Sequence, residues 1–294
     1  MKYLSLIPLL LSFATIALGQ DMPLTQVLID GEDWELLSIG HRFTEGPAVD
    51  KQGNVFFSDI PNDQIFKIDT SGRVSLFAAN TARTNGLMFG SDGRLFGCRN
   101  GDKKIVAYKM DGTFDTVADE VTCNDLVIGS DGGIYFTDPP NGKVWYISPD
   151  GEKRVVAEGL KPNGVILWPK EGTLVVTDGR DAHLWTFRIE ADGSLAHKSN
   201  YYMPLRLTTS SNRPGSDGMT VDEKQRLYVA SRAGVQMFDP TGRMGGVILT
   251  PGEIPASNVC FGGEGFRYMY ITQRDKVYRR LVKPKGVPYF QRAK

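Results

Sequence analysis

The sequence predicts an all-β protein, a six-bladed β-propeller whose four-stranded antiparallel blades surround a central channel. Three observations predict this fold. A short polar signature opens a run of alternating apolar residues six times, and a strand end follows about 14 residues after each opening. Successive openings are separated by 40, 39, 39, 54 and 41 residues, and a repeat near 40 residues with strand-like content is typical of a propeller. Every repeat also opens with Glu, Asp or Asn at the same internal position. The six opening residues are Glu45, Asn85, Asn124, Asn163, Asp217 and Asn258.

The first repeat shows how one blade is predicted. An inner strand over 46–50 is followed by a second strand over 55–58, which is apolar almost throughout, as expected for a strand covered on both faces. An alternating third strand follows over 65–68, and an outer strand over 74–78. Turns rich in Gly, Asn, Asp and Ser separate these strands. The other five repeats have the same order of elements.

Two segments depart from the repeat. The interval of 54 residues contains an insertion at about 201–216, rich in Ser, Thr, Arg and Pro, which we expect to be a loop. Because it ends just before Asp217, we expect it to lie over the mouth of the channel. A strand around 34–39 is expected to pair with the last blade near 276–282, since this pairing would satisfy the hydrogen bonds of an otherwise open edge.

The N-terminus predicts export. Residues 1–19 resemble a secretory signal peptide, with a positive Lys2, an apolar stretch over 4–17 and small residues before a cut after Gly19. A membrane anchor is the alternative, but the apolar stretch is shorter than the ~20 residues of a spanning helix. We therefore expect a periplasmic or secreted protein that does not stay in the membrane, with 20–294 as a single propeller domain.

Charge and cysteine content narrow the class of protein. Lys plus Arg and Asp plus Glu both number 34, so nothing predicts a nucleic-acid partner. The three cysteines, Cys98, Cys123 and Cys260, match no zinc motif and allow at most one disulfide. Buried free thiols are the interpretation favoured here. For assembly we expect a monomer or a weak oligomer.

The six opening residues predict a metal site. Equivalent positions of a propeller converge on the channel, so these side chains are expected to form one ring of oxygen donors. Two carboxylates and four amides are a hard ligand set without His or Cys, and Ca²⁺ fits it best. Mg²⁺ and Mn²⁺ are compatible with the ring, and Zn²⁺ is less natural but compatible. Asn-Gly and Asp-Gly are also ordinary turn dipeptides, but a turn does not require an amide or a carboxylate six times.

Other polar residues have simpler interpretations. The aspartates at strand ends are expected to cap loops through backbone hydrogen bonds; they are Asp59, Asp138 and Asp178. The histidines fall outside the ring and are expected to be structural; they are His41, His183 and His197.

Four segments resemble the gluconolactonase and regucalcin (senescence marker protein) family. They are TEGPAVDKQGNVFFSDI, CNDLVIGSDGGIYFTDPP, PNGVILWPKEGTLVVTD and SDGMTVDEKQRLYVA. The resemblance covers about residues 43–280 and is strongest to exported bacterial gluconolactonases. It implies that Glu45, Asn163 and Asp217 hold one divalent ion, and that Asn124 lies beside it as a ligand or a substrate contact. It also implies that Asp217 is the general base or proton shuttle.

The chain departs from the family pattern at one position. Animal members carry an Arg two residues before the Asn-Asp motif, where it contacts substrate hydroxyls, and this chain has Thr122 there. Sugar recognition is therefore expected to involve other residues, and Asn85, Arg99 and Arg232 are the candidates.

The function predicted from these residues is metal-dependent hydrolysis of a small sugar lactone, an aldonolactone such as glucono-1,5-lactone. The ion would polarise the lactone carbonyl, and Asp217 would act as the base. No Gly-x-Ser-x-Gly nucleophile motif is present in the chain. Two alternatives remain at this point: a phosphotriesterase resembling diisopropylfluorophosphatase, and a non-enzymatic binding propeller.

Overall fold

Six four-stranded antiparallel sheets surround one axis in the computed structural model, which describes residues 24–287. The prediction of a six-bladed propeller is confirmed. The predicted signal peptide lies outside the described residues. Within residues 24–287, no helix is long and apolar enough to cross a membrane.

The strands follow one order in every blade, from the channel outwards. Strand β1 (Glu35–Ile39) precedes the first blade. Blade one contains β2 (Thr44–Val49), β3 (Val55–Asp59), β4 (Gln64–Ile68) and β5 (Val74–Ala79). Blade two contains β6 (Thr84–Phe89), β7 (Leu95–Arg99), β8 (Lys104–Tyr108) and β9 (Phe114–Ala118). Blade three contains β10 (Leu126–Ile128), β11 (Ile134–Asp138), β12 (Lys143–Ile147) and β13 (Lys153–Glu158).

The remaining blades repeat this arrangement. Blade four contains β14 (Pro162–Leu167), β15 (Thr173–Asp178), β16 (Trp185–Ile189) and β17 (Leu195–Ser199). Blade five contains β18 (Met219–Val221), β19 (Leu227–Ser231), β20 (Gly234–Phe238) and β21 (Met244–Ile248). Blade six contains β22 (Asn258–Gly262), β23 (Tyr268–Gln273) and β24 (Lys276–Leu281), and β1 is its outer strand. Short 3₁₀ turns lie at Leu24–Gln26, Ile60–Asn62 and Glu264–Phe266.

The ring closes through its two ends, as predicted. Strand β1 pairs antiparallel with β24, and the register places Glu35 opposite Arg279 and Ile39 opposite Lys276. The N-terminal strand therefore supplies the hydrogen bonds that β24 would otherwise lack at an open edge.

The core lies between the blades. Second strands such as β3, β11 and β19 are buried along their whole length, whereas the outer strand β9 is largely exposed. Aromatic rings join neighbouring blades: Phe56 contacts Phe89 edge to face at 5.1 Å, and Tyr228 contacts Phe261 at 5.3 Å. This close packing holds the inner strands, and therefore the opening residues, in fixed positions around the channel.

The preference for free thiols was wrong for two of the three cysteines. Cys98, in β7, and Cys123, in the loop before β10, form a disulfide with a Cα–Cα distance of 5.1 Å. Cys260 is free and buried. The loop from blade two to blade three returns to the channel beside the end of β7, and this proximity cannot be deduced from a spacing of 25 residues.

The predicted insertion is a loop between β17 and β18, with one isolated bridge between Thr208 and Ser211. Its first half fills the gap between blades four and five, where Tyr202 and Leu205 are buried. Its second half reaches the mouth of the channel, where the backbone N–H of Arg232 donates to the Pro214 carbonyl at 2.9 Å. The expected position over the mouth is confirmed for this half.

Candidate functional site

The opening residues of neighbouring blades contact one another around the axis. Four contacts depend on glycine, because a Cβ at each position would overlap the next opening: Gly46 with Asn85, Gly86 with Asn124, Gly164 with Asp217, and Gly218 with Asn258. Two hydrogen bonds join the other neighbours: Thr137 Oγ1 donates to the Asn163 carbonyl at 2.6 Å, and Asn258 Nδ2 donates to Glu45 Oε2 at 3.2 Å. The ring predicted from the repeat is therefore formed at one end of the channel.

Glu45 is buried in this ring, with 6% of its surface exposed. Its Oε2 atom accepts hydrogen bonds from the Gly46 N–H at 2.8 Å and from Asn258 Nδ2 at 3.2 Å. Burial raises the pKa of the Glu45 carboxyl, and these hydrogen bonds oppose the rise. The two donors also fix the direction in which the carboxyl points.

Asp217 lies beside Asn163, on the neighbouring blade. The Asn163 Nδ2 atom donates to the carbonyl of Ser216 at 3.5 Å. Burial raises the pKa of Asp217 well above its usual value, the charges of Glu45 and Asp125 raise it further, and the Asn163 amide opposes the rise. Because the contact with Ser216 uses the Asn163 NH₂ group, the Asn163 side-chain oxygen remains available as a ligand.

Asp125 is a site residue that the sequence reasoning missed. It follows the opening residue of blade three, at the position that blades one, two, four and five fill with glycine. Burial raises its pKa to about 7, and the Glu45 charge adds to the rise. Its Oδ1 atom lies only 2.5 Å from where a Cβ on Gly86 would be, so glycine is required there. The signal in the sequence was the single Asn-Asp among Asn-Gly, Asp-Gly and Glu-Gly openings.

The donor set fits a hard divalent cation. The Glu45 charge raises the pKa of Asp125 and of Asp217, and within residues 24–287 none of these three carboxyl groups forms an ion pair with Lys or Arg. Burying like charges without a counter-charge is costly, and a bound cation would remove that cost. No cluster of three or more His, Cys, Asp or Glu in this part of the chain is arranged to hold a metal. An ion would therefore also need amide oxygens.

The amides differ in their availability. Asn258 is already engaged, because its Oδ1 accepts from the Val259 N–H at 2.9 Å while its Nδ2 donates to Glu45. The side chains of Asn85 and Asn124 make no hydrogen bonds to other described residues. Because neither amide is engaged, both are available to a ligand at the mouth. Asn85 is buried there and Asn124 is half-buried.

The two candidate arginines also differ in whether their side chains are already engaged by other residues. The Arg99 Nε donates to Asp102 at 2.8 Å, and the guanidinium lies 4.4 Å from the Phe114 ring centre. It is therefore engaged within blade two and is not drawn to the ring of openings. Arg232 is exposed at the mouth, where its side chain lies against Gly215.

The strand-end aspartates have the structural role predicted for them. Asp59 Oδ1 accepts the backbone N–H groups of Arg42 and Phe43 at 3.1 and 3.2 Å, and Asp178 accepts those of Lys161 and Arg180. Asp138 caps its loop through Asn141. The histidines are also outside the ring: His41 contacts Asp59, His183 contacts Asp181, and His197 lies in the outer strand β17.

A cavity of about 70 Å³ continues down the channel from the ring. Asp125 and Asn258 line it among apolar residues that include Leu126, Val165 and Cys260. A cavity of this size with polar groups on its wall can hold water. Water held there would lie against Asp125, the one of the three carboxyl groups that lines the cavity.

Comparison with known proteins agrees with this architecture. Residues 43–274 match the family model described as SMP-30/Gluconolactonase/LRE-like region. The chain is 28% identical over 297 residues to a gluconolactonase of Zymomonas mobilis, covering 86% of this chain and 82% of that protein. It is 31% identical over 246 residues to lactonase drp35 of Staphylococcus aureus, covering 76% and 75%. The structure of a gluconolactonase from Xanthomonas campestris superposes with a TM-score of 0.77 at 27% identity, covering 88% and 92%.

Proposed function

The chain belongs to the SMP-30/gluconolactonase/LRE-like family, and from this premise we propose that it is a metal-dependent lactonase. The substrate is a sugar lactone such as glucono-1,5-lactone, and the product is the open-chain hydroxy acid. One observation supports this most strongly: Glu45, Asp125 and Asp217 meet at the channel mouth without a Lys or Arg ion-pair partner in residues 24–287.

The ligands of the ion are part of the proposal. Glu45 and Asp217 would hold it through carboxylate oxygens, and Asn163 and Asn124 through amide oxygens. When bound, a divalent ion supplies Lewis-acid polarisation of the lactone carbonyl. We propose Ca²⁺, because it accepts a mixed set of carboxylate and amide oxygens in flexible geometry.

Asp217 is the proposed base. Its carboxylate takes a proton from a water molecule while the water oxygen bonds to the lactone carbonyl carbon. The bond between that carbon and the ring oxygen then breaks, and the ring oxygen receives the proton from Asp217. The raised pKa of Asp217 suits the first step, because a carboxylate with a pKa above its usual value accepts a proton more readily.

Export remains part of the proposal. Residues 1–19 carry the features of a signal peptide, and the Cys98–Cys123 disulfide is of a kind that persists in oxidising compartments. The N-terminal residue of the protein recovered from the periplasm or the medium tests this, with Gln20 as the expected first residue.

The deciding experiment measures lactone opening by the acid that it releases. The purified protein is stripped with a chelator and assayed with glucono-1,5-lactone and an aryl phosphotriester, before and after Ca²⁺ is restored. We expect lactone turnover that disappears with the chelator and returns with the ion. Chelator-resistant turnover would refute the metal requirement. Hydrolysis of the phosphotriester alone would refute the lactonase assignment.

A further inference from the structure

Two exposed cations flank the openings of blades four and five. Lys161 stands two residues before Asn163 and is exposed at the mouth. The equivalent position of blade five is Gly215, which has a φ of +54° and no side chain. The side chain of Arg232 occupies that space, because a Cβ on Gly215 would lie 2.8 Å from Arg232 Cγ and 2.9 Å from its Nε. Each of these two blades therefore presents one cation beside a residue of the proposed site.

Hydrogen bonds link the backbone segments that carry the two cations. The Lys161 N–H donates to Asp178 Oδ2 at 3.2 Å, and Ser216 Oγ donates to the Asp178 carbonyl at 3.2 Å. Ser216 follows Gly215, against which Arg232 lies, and the Arg232 N–H is bound to Pro214 at 2.9 Å. The backbone of both cations is thus held in place, on the side of the mouth where Asn163 and Asp217 lie.

Neither charged group has an ion-pair partner among residues 24–287. At the opposite end of the propeller, by comparison, three turn arginines each pair with the aspartate of their own turn. These pairs are Arg73 with Asp69, Arg94 with Asp92, and Arg243 with Asp239. In a chain with equal numbers of acidic and basic residues, two unpaired cations on neighbouring blades beside one site favour an anionic ligand.

We propose that Lys161 and Arg232 bind an anionic substituent, a carboxylate or a phosphate, on the lactone substrate. This inference rests on the proposed function and names the substrate class of the same site. Three carboxyl groups at the ring would repel an anion, and a divalent ion offsets only part of that charge. The two cations supply the rest of the positive charge that an anion needs, and they place the substituent above blades four and five. The Arg232 guanidinium suits either group, since it binds both through paired N–H groups.

The test compares kcat/KM for three lactones at saturating Ca²⁺. They are neutral glucono-1,5-lactone, its 6-phosphate, and a lactone of an aldaric acid, which carries a free carboxylate. We expect one or both anionic lactones to exceed the neutral one by about 10-fold, the scale of a hydrogen bond between charged groups. Lys161→Gln and Arg232→Gln should each lower the ratio of anionic to neutral kcat/KM by about 10-fold, mainly through KM.

The control is Lys103→Gln, an exposed cation on a mouth loop of blade two, which should leave that ratio unchanged. Added salt should lower kcat/KM for the anionic lactone more than for the neutral one, because salt screens exposed charges. A preference for the neutral lactone, or a ratio unchanged in both variants, would overturn the inference while leaving the lactonase assignment intact.

Binding provides a readout that does not depend on turnover. Calorimetry with 6-phosphogluconate, glucarate and gluconate compares product acids with and without a second anionic group. Binding of 6-phosphogluconate or glucarate that is tighter than that of gluconate, and weaker in Lys161→Gln, would support the anion site even if no lactone were opened. Which of the two acids binds more tightly would show whether the site prefers phosphate or carboxylate. Equal binding of all three acids would count against the site.

Discussion

Asn258 in the last blade donates a hydrogen bond of 3.2 Å to the Glu45 carboxylate in the first blade. The contact joins the last blade to the first at the channel. Closure of the ring of blades therefore orients Glu45, a proposed metal ligand. The fold and the site therefore depend on each other at this point.

Asn258→Ala tests that dependence. Loss of the donor frees the Glu45 carboxyl to rotate, and we expect the Kd for Ca²⁺ to rise about 5-fold to 10-fold, the equivalent of one hydrogen bond. The matched control is Asn54→Ala, since Asn54 is also buried and donates to Asp50 at 2.7 Å in a turn at the other end of the propeller. Calorimetric titration with Ca²⁺ measures both variants. An equal loss of affinity in the two would indicate a general loss of stability.

Asp217→Asn separates metal binding from proton transfer. The variant keeps an oxygen ligand but loses the base and one unit of charge. We expect Ca²⁺ to bind more weakly yet still bind at millimolar concentration, while turnover falls by about 100-fold or more. The initial rate at saturating metal measures this, with Asp92→Asn as a control in an exposed turn. Turnover close to wild type would remove Asp217 from the mechanism.

The raised pKa of Asp125 predicts how stability depends on pH without metal. A carboxyl whose folded-state pKa is about 7 binds its proton more tightly in the folded protein than in the unfolded chain. Its contribution to the free energy of unfolding is therefore present below about pH 4 and is lost as the pH rises to about 7. Thermal melts in chelator across this range should show falling stability, and Asp125→Asn should flatten the curve. A curve that Asp125→Asn leaves unchanged would assign the effect to other groups.

Glycine at the second position of an opening is predicted to be a steric requirement. A Cβ on Gly164 would overlap the carbonyl of Asp217, whereas a Cβ on Gly172, in the same blade, meets nothing within 4 Å. We expect Gly164→Ala to displace Asp217 and weaken Ca²⁺ binding by at least about 10-fold, on the scale of 1–3 kcal/mol for an overpacked site. Gly172→Ala should bind Ca²⁺ like the wild type. Equal affinity in both variants would show that the ring tolerates a wider spacing.

The disulfide is expected to contribute to stability more than to turnover. It closes a loop of 25 residues, so replacing both Cys98 and Cys123 with Ala should lower the free energy of unfolding by about 3 kcal/mol. Denaturant melts of this variant and of the oxidised wild type measure the loss, and the reduced wild type should melt like the variant. Turnover at saturating metal should stay within a few-fold, because neither cysteine belongs to the proposed site. A large loss of turnover in the fully folded variant would instead show that the bridge positions Asn124.

The sequence by itself determined the six blades, the closing pair of strands and the ring of openings. Each of these depends on a local pattern that recurs at a fixed interval, and a propeller places equivalent residues at equivalent distances from its axis. The repeat supplied six candidates, and the resemblance to the family selected Glu45, Asn163 and Asp217 among them.

Only the tertiary structure decided which side chains meet between blades. The Cys98–Cys123 bridge, the Arg99–Asp102 pair and the position of Arg232 over Gly215 depend on loop paths and side-chain directions, which the repeat does not encode. Asp125 was missed because the chemical role of an aspartate depends on which residues surround it in the folded protein. Its carboxyl belongs to the candidate site only because folding places it beside Glu45 and Asp217, where burial and their charges change its pKa.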